Sequence, residues 1–203
     1  MQDDTCGKQP LSRSANRVAI IGIGNAGLNT VTRLIHNGIT NCETVVVSDD
    51  SFHLTIPRAD HKFLLEERPD GEYELSLLLG EDSISSLEEG IRSALHGVET
   101  VLVVCGLGGS TGGRCTPRIL SIARSMGIRT TAFCIWPFTK QIVHMTDIAE
   151  ADLDTIKEYA DRTVVFHNDD LLEVKPVLTL SAAFAIVDDL VVSNLDEIAR
   201  ATV

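Results

Sequence analysis

The sequence is short of aromatic residues, of positive charge and of long apolar runs. Aromatics make up 4% of the 203 residues, so the core must be aliphatic. Lys and Arg number 17 against 29 Asp and Glu, a formal net charge of -12. That balance argues against nonspecific binding to nucleic acid or to an anionic membrane, since both need clustered cations. No apolar run is long enough to span a bilayer. The polar opening MQDDTCGKQPLSRSANR lacks the apolar stretch of a signal peptide. The cysteines are Cys6, Cys42, Cys105, Cys115 and Cys134, with no C-x-x-C pair. An odd count without that spacing fits reduced thiols in a cytoplasm better than a disulfide framework or a zinc site. The histidines are scattered without ligand spacing, so no metal site built from protein ligands is expected.

What is present is a core-forming chain, 44% hydrophobic, in which apolar strands alternate with helices. Strands are expected over 17–23, 42–50, 98–106, 128–138 and 162–170. Helices are expected over 28–38, 83–98, 116–127 and 146–161, with a long apolar one over 178–201. Ser86 is a candidate N-cap, and Pro117 suits the first turn of its helix. The stretch 51–81 shows no clear period and reads as loops with at most a short strand. Near-continuous apolar strands imply a sheet covered on both faces. The expectation is an α/β fold, a Rossmann-like three-layer sandwich with a mostly parallel sheet. Residues 1–16 read as a flexible extension. Residues 17–203 read as one domain ending in the last helix, with no second domain.

Two glycine-rich loops interrupt this pattern, each between a strand and a helix. Backbone N–H groups can approach an anion there without a Cβ in the way. The helix that follows turns its positive end to the same anion. The first loop holds Gly22, Gly24 and Gly27, a G-x-G-x-x-G match, and Asp49 lies at the end of the next strand. This is the fingerprint of a dinucleotide site, with the acid on a ribose hydroxyl, and keeps an NAD-dependent oxidoreductase in contention. The plainer alternative is tight strand–helix packing. Gly27-Leu28-Asn29 stands where a Walker A loop needs Gly-Lys-Ser/Thr, so no lysine is available to neutralise phosphate. The second loop, GLGGSTGGR, holds Gly106, Gly108, Gly109, Gly112 and Gly113 around Ser110 and Thr111. Such glycine density costs backbone entropy and needs a compensating use. A dinucleotide enzyme gives no reason for a second cradle of this kind.

These motifs resemble the tubulin/FtsZ GTPase family. The stretch from Gly106 through Thr116-Pro117 resembles its G-x-G-G-G-T-G-T-G loop. Gly22, Gly24, Gly27 and Asn29 fit its G-x-G-x-x-G-x-N loop. Pro137-Phe138, Asn168-Asp169-Asp170-Leu171-Leu172, and Ala183-Phe184 with Asp188 follow in the family's order, so the likeness spans about residues 17 to 200. The resemblance implies bound GTP or GDP, with Mg²⁺ as the expected ion. It implies that Gly22, Gly24, Asn25, Ala26, Gly27 and Asn29 line the phosphate and ribose side. Gly106, Gly108, Gly109, Ser110, Thr111, Gly112 and Gly113 would cradle the phosphates. Asn168 and Asp188 would bond the base, Phe184 would stack on it, and Asp50 would touch the ribose or a metal-bound water. A second copy, or an FtsZ-like protein, is the implied partner.

The chain also departs from the family pattern. Ser110 replaces a glycine and Gly113-Arg114 replaces Thr-Gly. Gln141 and Met145 stand where the family puts Glu and Arg on the nucleotide. No match to its acidic hydrolysis loop is found. Weak or absent hydrolysis follows as an expectation, with no catalytic residue assigned. A regulatory or scaffold role without productive nucleotide binding is the alternative.

Overall fold

A computed structural model describes residues 17–39, 42–67, 73–77, 84–138, 143–170, 186 and 188–195. The expected extension over 1–16, Phe184, Gln141 and the ends of the last helix lie outside the described residues.

The apolar runs form the middle of the sheet. β1 (Val18–Ile23), β2 (Cys42–Ser48), β6 (Thr100–Gly106), β7 (Arg129–Trp136) and β8 (Arg162–His167) sit close to where the sequence puts them. Where at most a short strand was expected over 51–81, there are two, β3 (His61–Glu67) and β4 (Tyr73–Leu77), and a third, β5 (Ile84–Ser86), takes the start of the helix expected over 83–98. The order is β5-β4-β3-β2-β1-β6-β7-β8. From β3 to β8 every pairing is parallel, while β4 and β5 pair antiparallel at one edge.

Alternation along the strands separates two cores. Ala19, Ile21 and Ile23 of β1 face one side. There Leu87 and Ile91 of α2 (Leu87–Ala94), Ile119 and Leu120 of α3 (Gly112–Ser125) and Ile156 of α4 (Val143–Tyr159) cover the sheet. Val18 and Ile20 face the other side, under Leu28, Val31 and Leu34 of α1 (Gly24–His36). Val191, Val192 and Leu195, from the helical backbone at 188–195, close the same layer. This is the three-layer α/β sandwich expected. Cys105 and Cys134 are buried in the first core with their sulfurs 4.0 Å apart, and burial pushes the neighbouring Cys115 thiol up to about 12.

α1, α3 and α4 begin earlier than the sequence suggests, whereas α2 begins later, at Leu87, because Ile84–Ser86 form β5. α1 starts at Gly24, so the first glycine loop is largely a helical turn. α3 starts at Gly112, which puts Pro117 inside the helix instead of in its opening turn. Residues 168–170 are helical rather than an extension of β8. From β1 the chain runs outward through β2 to β3, then returns to β6 and runs the other way. The crevice beyond the carboxyl ends of β1 and β6 lies at that switch, the place where open α/β sheets bind ligands.

Candidate functional site

The two glycine loops meet in this crevice. A Cβ placed on Gly24, whose φ is +67°, would stand 3.4 Å from the Gly112 nitrogen and 3.5 Å from the Thr111 Cβ. Between the loops is a cleft of about 210 Å³ lined by Gly24, Asn25 and Ala26 on one side and by Gly109, Ser110, Thr111 and Gly112 on the other. Neither α1 nor α3 has a side chain capping its first N–H groups, and neither has an acidic residue in its first turn. α2, which opens elsewhere, carries Glu88 and Glu89 there. Two uncapped helix starts directed at one small cleft favour an anion.

A second compartment of about 290 Å³ continues from the cleft, sharing Asn25, Ala26 and Gly106 with it. Its walls add Asn29, Asn168 and Asp188, with Ile135 and Phe138 as apolar surface. Asn168 is 3% exposed, and its Oδ1 has no hydrogen-bond partner among the described residues. A buried acceptor left unpaired is uncommon and calls for a donor. The Asp188 carboxylate accepts a hydrogen bond from the Thr30 hydroxyl at 3.2 Å. Burial pushes its pKa up to about 6, against the pull of Thr30 and of the Arg33 guanidinium. Arg33 itself pairs with Asp189.

Several residues assigned from the sequence sit elsewhere. Gly22 and Gly27 are buried behind the cleft and line neither compartment. A Cβ on Gly22 would lie 2.3 Å from the Gly27 oxygen, and one on Gly27 would lie 2.4 Å from the Val104 oxygen. The structure thus gives these two glycines the plainer role, the close crossing of α1 over β1 and β6. Asp50 turns away as well: it accepts from the Phe52 N–H at 2.9 Å and stands 3.5 Å from His53 Nδ1, next to the short 3-10 turn His53–Thr55. Its neighbour Asp49 lines the phosphate-sized cleft instead and accepts from the Ser110 hydroxyl at 3.3 Å. Gly108 and Gly113 face the back of the loop, against Asp152 of α4. The Gly108 N–H donates to the Asp152 carboxylate at 2.9 Å. The sequence signalled Asp49 only as a ribose ligand, and Asp152 not at all.

Among the described residues, no group of three or more His, Cys, Asp or Glu is arranged to hold a metal ion. No described helix is long and apolar enough to cross a membrane.

Residues 17–176 match the model of the Tubulin/FtsZ family, GTPase domain. The chain belongs to the tubulin/FtsZ family. Within that family it is 35% identical over 182 residues to Cell division protein FtsZ 1 of Pyrococcus furiosus, covering 87% of this chain and 48% of that protein. It is 34% identical over 185 residues to Cell division protein FtsZ of Methanothermobacter thermautotrophicus, covering 90% of this chain and 49% of the relative. The chain therefore spans about half the length of the relatives it matches. An empty FtsZ dimer from M. jannaschii superposes with a TM-score of 0.79 at 28% identity, over 92% of this chain and 55% of that one. GDP-bound CetZ1 from Haloferax volcanii, at 21% identity and a TM-score of 0.66 over 87% of this chain and 58% of that one, shares the fold. Membership in the tubulin/FtsZ family explains the second glycine loop, which the dinucleotide reading left without a use.

Proposed function

We propose that this chain binds a guanine nucleotide, with its phosphates in the glycine-lined cleft and its base in the adjoining compartment. The observation that carries the reading is the buried Asn168 Oδ1, without a hydrogen-bond partner among the described residues, on a residue that lines the same compartment as Asp188. Guanine offers two adjacent N–H donors to a carboxylate, and adenine does not. The phosphates would be held by backbone N–H groups of the second loop and by the starts of α1 and α3.

Asp49, Ser110 and Thr111 set one carboxylate and two hydroxyls around the cleft. This all-oxygen set fits Mg²⁺, which binds through one or two carboxylates together with phosphate oxygens. Bound there, the ion would offset the negative charge that Asp49 places beside the phosphates.

Hydrolysis by this chain alone is proposed to be slow or absent. Positioning supplies most of the rate in phosphoryl transfer, and Asp49 is the single carboxylate among the described residues lining the cleft. In the family that this chain resembles, an acidic loop of one subunit completes the site of its neighbour. This sequence shows no match to that loop, so an FtsZ-like protein that carries it is the proposed partner for hydrolysis, and a second copy is proposed as a partner in association only. Asp49 inside the cleft, a carboxylate where phosphate oxygens would lie, also favours a second reading, a scaffold that has given up productive binding.

Chromatography of whatever is released from the purified protein separates these readings. Guanine nucleotide supports the first reading and an empty cleft supports the second. Calorimetric titration should then show GDP binding at least tenfold more tightly than ADP, and equal binding of the two would overturn the base assignment.

A further inference from the structure

The second glycine loop is held from behind by a buried carboxylate. Asp152, on the inner face of α4, is 9% exposed. Its Oδ2 accepts the Gly108 N–H at 2.9 Å. Gly108 has φ +77°, and a Cβ there would stand 2.7 Å from the Met145 carbonyl oxygen at the start of the same helix. At Gly113, a Cβ would lie 1.9 Å from Asp152 Oδ2 and 2.1 Å from its Cγ. The carboxylate thus sits against both ends of the loop, in space that a side chain at Gly113 would need. Burial raises the pKa of Asp152, while the Gly108 N–H and the Arg114 guanidinium pull it down.

We propose that Asp152 is a positioning residue: an internal anion that fixes the loop in its ligand-gripping shape and takes the Gly108 N–H out of the cradle. The chain has spent a buried carboxylate and a side-chain-free position at Gly113 on one hydrogen bond. A loop so glycine-rich is otherwise free to sample many shapes, and ordering it in advance lowers the cost of binding. The cradle left for the ligand is then Gly109 to Gly112. The proposal rests on the guanine-nucleotide reading only for what the loop grips, not for how the loop is held.

Amide hydrogen exchange on the ligand-free protein tests it directly. In the unmodified protein, the Gly108 amide should exchange at least tenfold more slowly than that of Gly109, which is exposed. Equal rates overturn the proposal. In Asp152→Ala, the protection of Gly108 should be lost. In Asp152→Asn, which keeps an acceptor, most of it should remain. If the nucleotide reading holds, GDP affinity should fall about tenfold in the Ala variant and less than threefold in the Asn variant, as expected for one hydrogen bond to a charged group. A chain that binds no guanine nucleotide sinks the nucleotide reading, and the exchange rates still decide this one. Gly113→Ala should disturb the loop, and pairing it with Asp152→Gly should restore the fold, because the atoms it meets are gone. Gly108 should stay unprotected in that double variant, since its acceptor is gone, and failure of the fold to recover would count against the placement of the Asp152 carboxyl against Gly113.

Discussion

Burial and the Thr30 hydroxyl act on the Asp188 carboxyl in opposite directions, and burial prevails. The folded pKa of about 6 lies above the ordinary carboxylate value of about 4. The group's contribution to stability is therefore fully present below that ordinary value and is lost as pH rises through about 6. Asp188→Asn should flatten that part of the pH–stability profile of the empty protein, measured by thermal melting. Nucleotide acts with the opposite sign, because guanine donors bind the ionised carboxylate. GDP affinity should rise with pH across the same window, and the Asn variant should bind at least tenfold more weakly at pH 7. An unchanged affinity would remove Asp188 from base recognition. Asp49 makes the converse case. Its carboxylate stands among the groups that would meet phosphate, so Asp49→Asn should tighten GDP binding several-fold in chelator. The gain should shrink in Mg²⁺, and titrations in the two conditions measure it. The sequence marked Asp49 for a dinucleotide's ribose and its neighbour Asp50 for the family's nucleotide, and the structure puts Asp49 in the cleft. Which of two adjacent acids faces inward depends on how the chain leaves the strand, and side-chain type does not encode that.

At the scale of elements, the crossing of α1 over the sheet sets the site. Gly22→Ala would drive a methyl into the Gly27 carbonyl, a packing conflict worth about 3 kcal/mol. The melting temperature should fall by roughly 6–12 °C for a chain of this size. Gly109→Ala should leave it nearly unchanged, since nothing lies within 4 Å of the added carbon. Equal losses in the two variants would contradict the assignment of Gly22 to packing and Gly109 to the cleft. The central strands were legible because both their faces are buried, which demands continuous apolar runs such as VLVV in β6. β3 was not legible: HKFLLEE mixes charge with apolar residues, as suits a strand near the edge of a sheet. The register with β2, Val45 against His61 through Ser48 against Leu64, comes from long-range pairing that local periodicity does not carry. The expected start of α3 at Thr116 missed the turns before it because Gly112 and Gly113 read as loop. Asp152 fixes that stretch from another helix, so the signal lies 39 residues away from Gly113 in the chain.

For the whole molecule, the decisive quantities are charge and completeness of the site. A net charge of -12 opposes the approach of a nucleotide polyanion. Association of GDP should accordingly speed up as monovalent salt is raised toward physiological strength, the reverse of a nucleic-acid binder. Stopped-flow with a fluorescent analogue checks the sign. With GTP and Mg²⁺, the chain alone should show turnover at background and no rise in light scattering. Addition of a full-length FtsZ should raise turnover if a partner's acid completes the site. Ready turnover by the chain alone would overturn the proposal that hydrolysis needs a neighbour. Motif order along the sequence identified the family and pointed to the two glycine loops now proposed to hold a nucleotide. It could not show the division of labour within one loop, where some glycines face ligand and others face Asp152.

The bare starts of α1 and α3 bear on how the empty protein is handled at the bench. Any small oxyanion, sulfate or inorganic phosphate included, should settle between them and raise the melting temperature as its concentration grows. Stocks kept in phosphate buffer would then compete with the ligand under test and understate its affinity. Chloride salts with an amine buffer leave that hollow clear.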